Sequence, residues 1–286
     1  MTTPLAKTRV CIVGYPATYS RSPLLHGYWI EKYGIDGSYG RENVPPEDAP
    51  AFFAGLKDRY QGCNVTAPHK ELAFRSVAEA DATARRLQAV NTVWFEDGCM
   101  KGGNTDAIGY VGSLDEAAPG WDRRDRPALV LGAGGAARSV VHGLLERGVE
   151  KVWLANRTLA RAEVLRDLFG SKVQPIGLDA IAGPMAEAGV ISNTTTLGMK
   201  GADSMDFDLA VARDDAVVTD AVYVPLETPF LKAAKARGLV VADGLSMLLH
   251  QAVPGFERWF GVRPVVDAGL RAVIIDDLRA KGQLEA

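Results

Sequence analysis

The chain has 286 residues, 47% of them hydrophobic and 23% charged, and its 32 Lys and Arg against 35 Asp and Glu give a net charge of −3. These proportions exclude a disordered chain and offer no basic footprint for nucleic acid or for an anionic membrane. Three cysteines, Cys11, Cys63 and Cys99, are too few and too scattered for a disulfide framework or a four-ligand zinc site, so no metal is expected.

Short apolar runs alternate with helical patterns, the rhythm of βαβ units, and the length suits two domains at roughly 150 residues each. Residues 1–9 lack an apolar leader core and no run approaches membrane-spanning length, which places the chain in the cytoplasm. Residues 9–13 read as a strand ending at Gly14. Residues 23–33 read as a helix, with Ser22 as its N-cap and Pro23 first, where a missing N–H costs nothing. A strand at 38–44, a helix at 46–57 and a short strand at 62–66 follow, the last running into the breaker Pro68. Residues 81–88 should be helical, and 89–95 with 99–103 form a hairpin about Asp97-Gly98, which tolerates positive φ. The polar stretch 118–127 then interrupts the pattern and reads as a boundary. Beyond it, the apolar run 128–131 is a strand buried on both faces. A helix at 136–147 stopping at Gly148, a strand at 151–155, a helix at 159–168 and a strand at 172–176 come next. Strands at 190–194, 216–221 and 239–242 precede two final helices, at 245–261 and 267–281.

The segment Leu129-Val130-Leu131-Gly132-Ala133-Gly134-Gly135-Ala136-Ala137 fits G-x-G-x-x-[GA] at a strand–helix junction. Gly132 permits the tight turn, Gly134 lets the backbone approach a pyrophosphate, and Ala137 keeps helix and strand close. Ala133, Gly135 and Ala136 complete the loop, and the anion would sit on unpaired N–H groups at the positive end of the helix. A tight turn with no ligand is the alternative; the flanking strand, helix and second strand favour a nucleotide. The second strand ends at Asn156-Arg157-Thr158, about 24 residues after Gly132, where an NAD site offers a carboxylate for the ribose. None stands there. Arg157, with Arg161 one helical turn later, supplies positive charge suited to a 2′-phosphate, so NADP is the expected cofactor. Two solvated surface arginines are the plainer reading of the same pair.

Further motifs flank that loop. They are Gly14-Tyr15-Pro16 through Ser20-Arg21-Ser22-Pro23, Asn64-Val65-Thr66-Ala67-Pro68-His69-Lys70, Ala89-Val90-Asn91-Thr92 and Gly103-Asn104-Thr105-Asp106. After the loop come Ser192-Asn193-Thr194-Thr195, Asp220-Ala221-Val222-Tyr223-Val224-Pro225, and Gly244 through Met247 to Gln251. In this order, and along most of the chain, they resemble the shikimate dehydrogenase family. The resemblance implies an α/β fold of two domains, with substrate in the cleft between them. One is an α/β substrate-binding domain, residues 1–106 and 244–286, and the other an inserted Rossmann dinucleotide-binding domain, residues 107–243. It further implies NADP-dependent, reversible reduction of 3-dehydroshikimate to shikimate in aromatic amino-acid biosynthesis, by a monomer or a homodimer.

Reducing a ketone needs a hydride donor, a group to polarise and protonate the developing alkoxide, and an oriented pocket. The resemblance assigns Lys70 and Asp106 as the catalytic pair, although a lysine met alone reads as a surface residue. It matches Ser20 and Ser22 to carboxylate-binding serines, Thr66, Asn91 and Gln251 to positions at the ring hydroxyls, and Tyr223 to a tyrosine near the carboxylate. Thr194 and Met247 match the nicotinamide side, with Gly244 opening the last motif, while Asn64 reads as a structural hydrogen-bonder. Three departures cluster here: Tyr19 where the family has His, Ala107 for the common Gly, and Thr195-Thr196-Leu197 for a smaller Ser-rich turn. They leave open a preference for quinate or an amino-substituted analogue. A ligand-binding regulator without activity is argued against by Lys70 and Asp106, and a methylenetetrahydrofolate dehydrogenase by Ser20, Ser22 and Gln251. His26 and His142 read as packing or surface residues, and Cys63 as a buried free thiol.

Overall fold

Val10, Cys11, Ile12 and Val13 are all buried, as a strand covered on both faces requires. In the computed structural model, which describes residues 7–122, 125–199, 201 and 207–284, they form the centre of β1 (Thr8–Gly14). The chain then runs through α1 (Ser22–Lys32), β2 (Gly37–Asn43), α2 (Ala49–Ala54), α3 (Leu56–Arg59), β3 (Gly62–Val65), α4 (Lys70–Ser76), β4 (Glu79–Ala80), α5 (Ala82–Leu87), β5 (Thr92–Glu96) and β6 (Cys99–Gly103). Their six-stranded sheet has the order β2-β1-β3-β5-β6-β4. It is parallel through β2, β1 and β3 and antiparallel from β3 to β5 and from β5 to β6.

A second six-stranded sheet follows, built by α6 (Asp106–Ala117), β7 (Ala128–Leu131), α7 (Gly135–Glu146), β8 (Val152–Ala155), α8 (Leu159–Phe169), β9 (Val173–Ile176), α9 (Ala182–Glu187), β10 (Val190–Asn193), β11 (Val217–Asp220), α10 (Pro229–Ala236) and β12 (Val240–Ala242). Every pairing in it is parallel, and its order β12-β11-β10-β7-β8-β9 reverses direction at β7, the doubly wound arrangement of dinucleotide-binding sheets. The chain closes with α11 (Gly244–Phe260) and α12 (Ala268–Ala280).

Packing divides these elements into two units. One takes the described part of Met1–Thr105 with Ala252–Asp277; the other takes Asp106–Gln251 with the described part of Leu278–Ala286. The first unit has a core on either side of its sheet. Phe53, Leu56, Val90 and Val93 gather with Cys11 and Cys63 in one cluster. Elsewhere in the unit Trp29, His26, Phe256 and Trp259 pack as an aromatic group, with Trp29 Nε1 donating to Val265 O and Trp259 Nε1 to Val93 O. Gly62 is required there, because a Cβ would lie 2.2 Å from Trp259 Nε1. In the second unit Leu129, Leu131, Ile191 and Val218 of the strands meet Met185, Phe230 and Leu231 of the helices.

Several expectations are corrected. Ser22 is not an N-cap: Arg21 holds that position, and Ser22 is the first helical residue with Pro23 beside it. The helix expected at 46–57 is two short helices parted at Gly55. The structure also has four helices, α4, α6, α9 and α10, beyond those the sequence pattern predicts. The stretch 118–127 lies inside the second unit, between α6 and β7, rather than at a division. Its residues 123 and 124 fall outside the described residues, as do residues 1–6 of the stretch 1–9.

Candidate active site

Ser20 and Ser22 meet in the turn between β1 and α1. Ser20 Oγ donates to Ser22 Oγ and accepts from Ser22 N, both at 3.2 Å. Two arginines hold this turn: Arg41 donates to Ser20 O at 2.8 Å, and Arg21 donates to Tyr19 O at 2.9 Å while pairing with Asp277 at 2.7 Å. Two hydroxyls on one short turn suit a carboxylate, which accepts only. Tyr19 itself is exposed, at 71%.

Thr66 follows β3, its N–H donating to Val13 O at 2.9 Å. Its methyl lies so close to Gly14 that a Cβ there would be 2.3 Å away, so this crossing requires glycine. One turn later His69 is buried with Nε2 at 2.7 Å from Val44 O, and Lys70 begins α4 with its carbonyl accepting from Val90 N at 2.9 Å. The backbone of Lys70 is thereby tied to the segment carrying Asn91. Asn91 is 3% exposed and is no mere turn residue. Its Oδ1 accepts from Thr105 N and from Thr92 Oγ1, each at 2.9 Å, and its Nδ2 donates to Thr105 Oγ1 at 3.0 Å. These bonds fix which way the amide faces. Asn64 is the hydrogen-bonder the sequence suggested, donating from Nδ2 to Asn91 O at 3.1 Å and to Thr92 Oγ1 at 3.2 Å.

In the second unit Gly132 stands at φ +99°, and a Cβ there would fall 2.9 Å from Thr194 Oγ1 and 2.8 Å from Thr195 Cγ2. Only glycine serves on both counts. Thr194 Oγ1 braces the turn, donating to Leu131 O at 2.8 Å, and Asn156 Oδ1 accepts from Ala133 N at 3.2 Å. Gly134 caps α7 and Gly135 begins it; both are exposed, and a Cβ on either would meet nothing within 4 Å. The first N–H groups of α7, those of Gly135, Ala136 and Ala137, have no partner within the helix, and the approach to them is open. Arg157, Thr158 and Arg161 are exposed, and neither guanidinium has a carboxylate partner among the described residues. This donor set fits a dinucleotide bearing an extra phosphate.

Asp106 begins α6, where a carboxylate also complements the helix dipole. That helix packs closely on α11: a Cβ on Gly109 would lie 2.5 Å from Met247 O and 2.6 Å from Gln251 Cβ. The helix that Asp106 opens is thus held against Met247 and Gln251 by a contact that only glycine permits. Gln251 Nε2 donates to Leu248 O at 3.2 Å. Gly244 is equally constrained, since a Cβ would strike Ala221 O and Val222 O at 2.6 and 2.7 Å, and Tyr223 follows that segment half-buried. Lys70 and Asp106 belong to different units.

Sequence reasoning missed the buried carboxylate Asp220. It is 0% exposed and accepts from Asn193 Nδ2 at 3.0 Å, Val222 N at 2.9 Å and Thr228 Oγ1 at 2.7 Å. Burial raises its pKa above the ordinary carboxylate value, against the pull of those donors. Asn193 in turn accepts from Thr195 N and Oγ1, so one network sets both the Thr195–Leu197 turn and the approach to Tyr223. Its signal was present, because Asp220 and Asn193 each sit in a motif noted for a neighbour. Among the described residues no group of three or more His, Cys, Asp or Glu could hold a metal ion, and no helix is long and apolar enough to cross a membrane.

Comparisons agree with this arrangement. Residues 12–93 match the model of the shikimate dehydrogenase substrate binding domain, 117–214 that of shikimate / quinate 5-dehydrogenase, and 244–274 that of the shikimate 5'-dehydrogenase C-terminal domain. A shikimate dehydrogenase (NADP(+)) of Azorhizobium caulinodans is 61% identical over 279 residues, covering 97% of this chain and 99% of that one. A shikimate 5-dehydrogenase of Thermus thermophilus, solved with NADP(H) and shikimate, superposes with TM-score 0.83 at 35% identity over 94% of this chain and 99% of that one. A quinate dehydrogenase of Corynebacterium glutamicum, solved with NAD, superposes with TM-score 0.87 at 29% identity, again over 94% and 99%. The chain belongs to the shikimate dehydrogenase family.

Proposed function

We propose that the protein is an NADP-dependent shikimate dehydrogenase, an oxidoreductase that reversibly reduces 3-dehydroshikimate to shikimate in aromatic amino-acid biosynthesis. The observation that carries the cofactor choice is the exposed pair Arg157 and Arg161 next to an open glycine turn, joined to it by the Asn156–Ala133 hydrogen bond. A ribose 2′-hydroxyl would leave two guanidinium groups without a partner, whereas a 2′-phosphate uses both. The 61% identical relative is named for NADP and shikimate, which favours that reading over quinate, an amino-substituted analogue or a regulator without activity.

We assign residues 1–106 and 244–286 to substrate and 107–243 to cofactor. Gly132, Ala133, Gly134, Gly135 and Ala136 receive the pyrophosphate, Asn156, Arg157, Thr158 and Arg161 the 2′-phosphate end, and Thr194, Gly244 and Met247 the nicotinamide end. When bound, NADPH supplies the hydride. Ser20 and Ser22 hold the substrate carboxylate, with Tyr223 near it, and Thr66, Asn91 and Gln251 orient the ring through its hydroxyls. The Lys70 ammonium donates a hydrogen bond to the carbonyl oxygen, stabilises the negative charge that grows there and delivers the proton from Nζ. Asp106 orients that ammonium toward the carbonyl oxygen. In the oxidising direction Lys70 takes the proton back. The setting is the cytoplasm, consistent with three free thiols, and the assembly is a monomer or a homodimer.

Initial rates with shikimate, quinate and an amino analogue, each with NADP and with NAD, test this assignment; the highest kcat/KM is expected for shikimate with NADP, and a higher value for quinate with NAD overturns it. Lys70→Ala should lower kcat by about two orders of magnitude or more while the Kd for NADP stays within about twofold. Near-normal turnover by that variant removes Lys70 from the reaction.

A further inference from the structure

Tyr39 lies on β2 opposite Val10 of β1, and none of the motifs above includes it. Its ring stacks on the buried His26 at 4.1 Å and 7°. Its hydroxyl donates to Asn64 Oδ1 at 2.6 Å. From Asn64 the donations run on to Thr92 Oγ1 at 3.2 Å, from Thr92 Oγ1 to Asn91 Oδ1 at 2.9 Å, and from Asn91 Nδ2 to Thr105 Oγ1 at 3.0 Å. The donations run from Tyr39 through Asn64 and Thr92 to the Asn91 oxygen, which Thr105 Oγ1 also reaches at 3.3 Å. The direction is imposed by groups with one role each: Thr105 N–H can only donate to Asn91 Oδ1, and Asn91 C=O can only accept from Asn64 Nδ2. Asn64 Oδ1 must then receive a proton from elsewhere, and Tyr39 provides it.

We infer that Tyr39 is a positioning residue for substrate, holding the Asn91 amide through Asn64 and Thr92. The inference rests on the reading of Asn91 as a substrate-binding residue. Without the phenol hydroxyl, the Asn64 oxygen is left buried with no donor, a cost relieved only if the amide turns away. Its Nδ2 then leaves Thr92, and Thr92 no longer holds Asn91.

The experiment is a cycle of Tyr39→Phe, Asn91→Ala and the double variant, with KM for shikimate, KM for NADP, kcat and Tm measured for each. Tyr39→Phe should raise KM for shikimate about tenfold, the equivalent of one lost hydrogen bond, with KM for NADP unchanged and kcat falling less than KM rises. In the Asn91→Ala background the same substitution should change KM less than about twofold. A lowered Tm with unchanged KM for shikimate, or factors that simply multiply in the double variant, overturns the inference. Thr92→Val interrupts the same path beyond Asn64 and should reproduce the KM signature if Tyr39→Phe yields too little folded protein. If Asn91→Ala leaves KM unchanged, the reading of Asn91 itself falls; an Asn91 effect without a Tyr39 or Thr92 effect overturns only the relay.

Discussion

His26 sits among Tyr39, Trp29, Phe256 and Trp259 with no exposed surface, and burial lowers its pKa to about 3. An unfolded chain titrates the same imidazole near pH 6.5, so between the two values it is the unfolded state that binds the extra proton. Stability should therefore be unaffected by His26 above about pH 6.5 and fall as pH is lowered, by up to about 4 kcal/mol on reaching pH 3. His26→Phe keeps the stack and removes the proton, so denaturant unfolding at pH 4.5 and pH 7 should show a shallower loss in the variant. Equal slopes would place the acid sensitivity elsewhere. A second residue-scale consequence concerns Arg157 and Arg161, both exposed. The Arg157→Ala/Arg161→Ala double variant should raise KM for NADP by about tenfold to a hundredfold, two charge-assisted bonds being lost, and leave KM for NAD nearly unchanged. Steady-state rates with both cofactors check it.

At the scale of elements, α6 and α11 approach through Gly109, which a methyl group would fill to within 2.5 Å of Met247 O. Gly109→Ala should cost about 2 kcal/mol and raise KM for shikimate, because Gln251 must move with its helix. Gly27, inside α1, has nothing within 4 Å of a Cβ, so Gly27→Ala should stabilise by about 0.5–1 kcal/mol instead. Thermal melts of the pair should shift in opposite directions. The same glycines explain what the sequence left hidden. Strands such as β7 and the helix α7 were legible because an apolar run, a glycine turn and a helical period lie end to end. By contrast, Gly109 and Gly112 depress helix propensity across residues that packing holds helical, and α6 passed unrecognised. α4 is two turns long and directly follows the breaker Pro68. Both catalytic candidates therefore open helices that no local signal announced, and only the motifs marked them. For α10 a local signal does exist, Thr228 capping Leu231 N with Pro229 next. Ser22 shows the opposite error: its place before a proline mimics a cap, whereas its hydroxyl accepts from Ser20.

Over the whole molecule, what governs behaviour is that the first unit is not a continuous stretch of chain. Trp29 is bonded to Val265, Tyr28 donates to Asp267, and Trp259 fills the space over Gly62 and bonds Val93. A chain stopped after residue 251 should lose that core and bind a hydrophobic dye, and it should fail to bind shikimate. NADP binding, followed by fluorescence titration, is expected to remain within about tenfold, since the glycine turn and Arg157 lie in the second unit; retained shikimate binding would contradict this. The bond from Trp29 to Val265 also spans 236 positions, and a ribosome adds only about 5–20 residues each second. Residues 7–105 are consequently out in the cell for some ten seconds or more before their last partners are made. During that interval β1 and β3, both apolar, wait beside an aromatic surface that nothing yet covers. The nascent protein should accordingly depend on chaperones for its oldest residues rather than its newest ones.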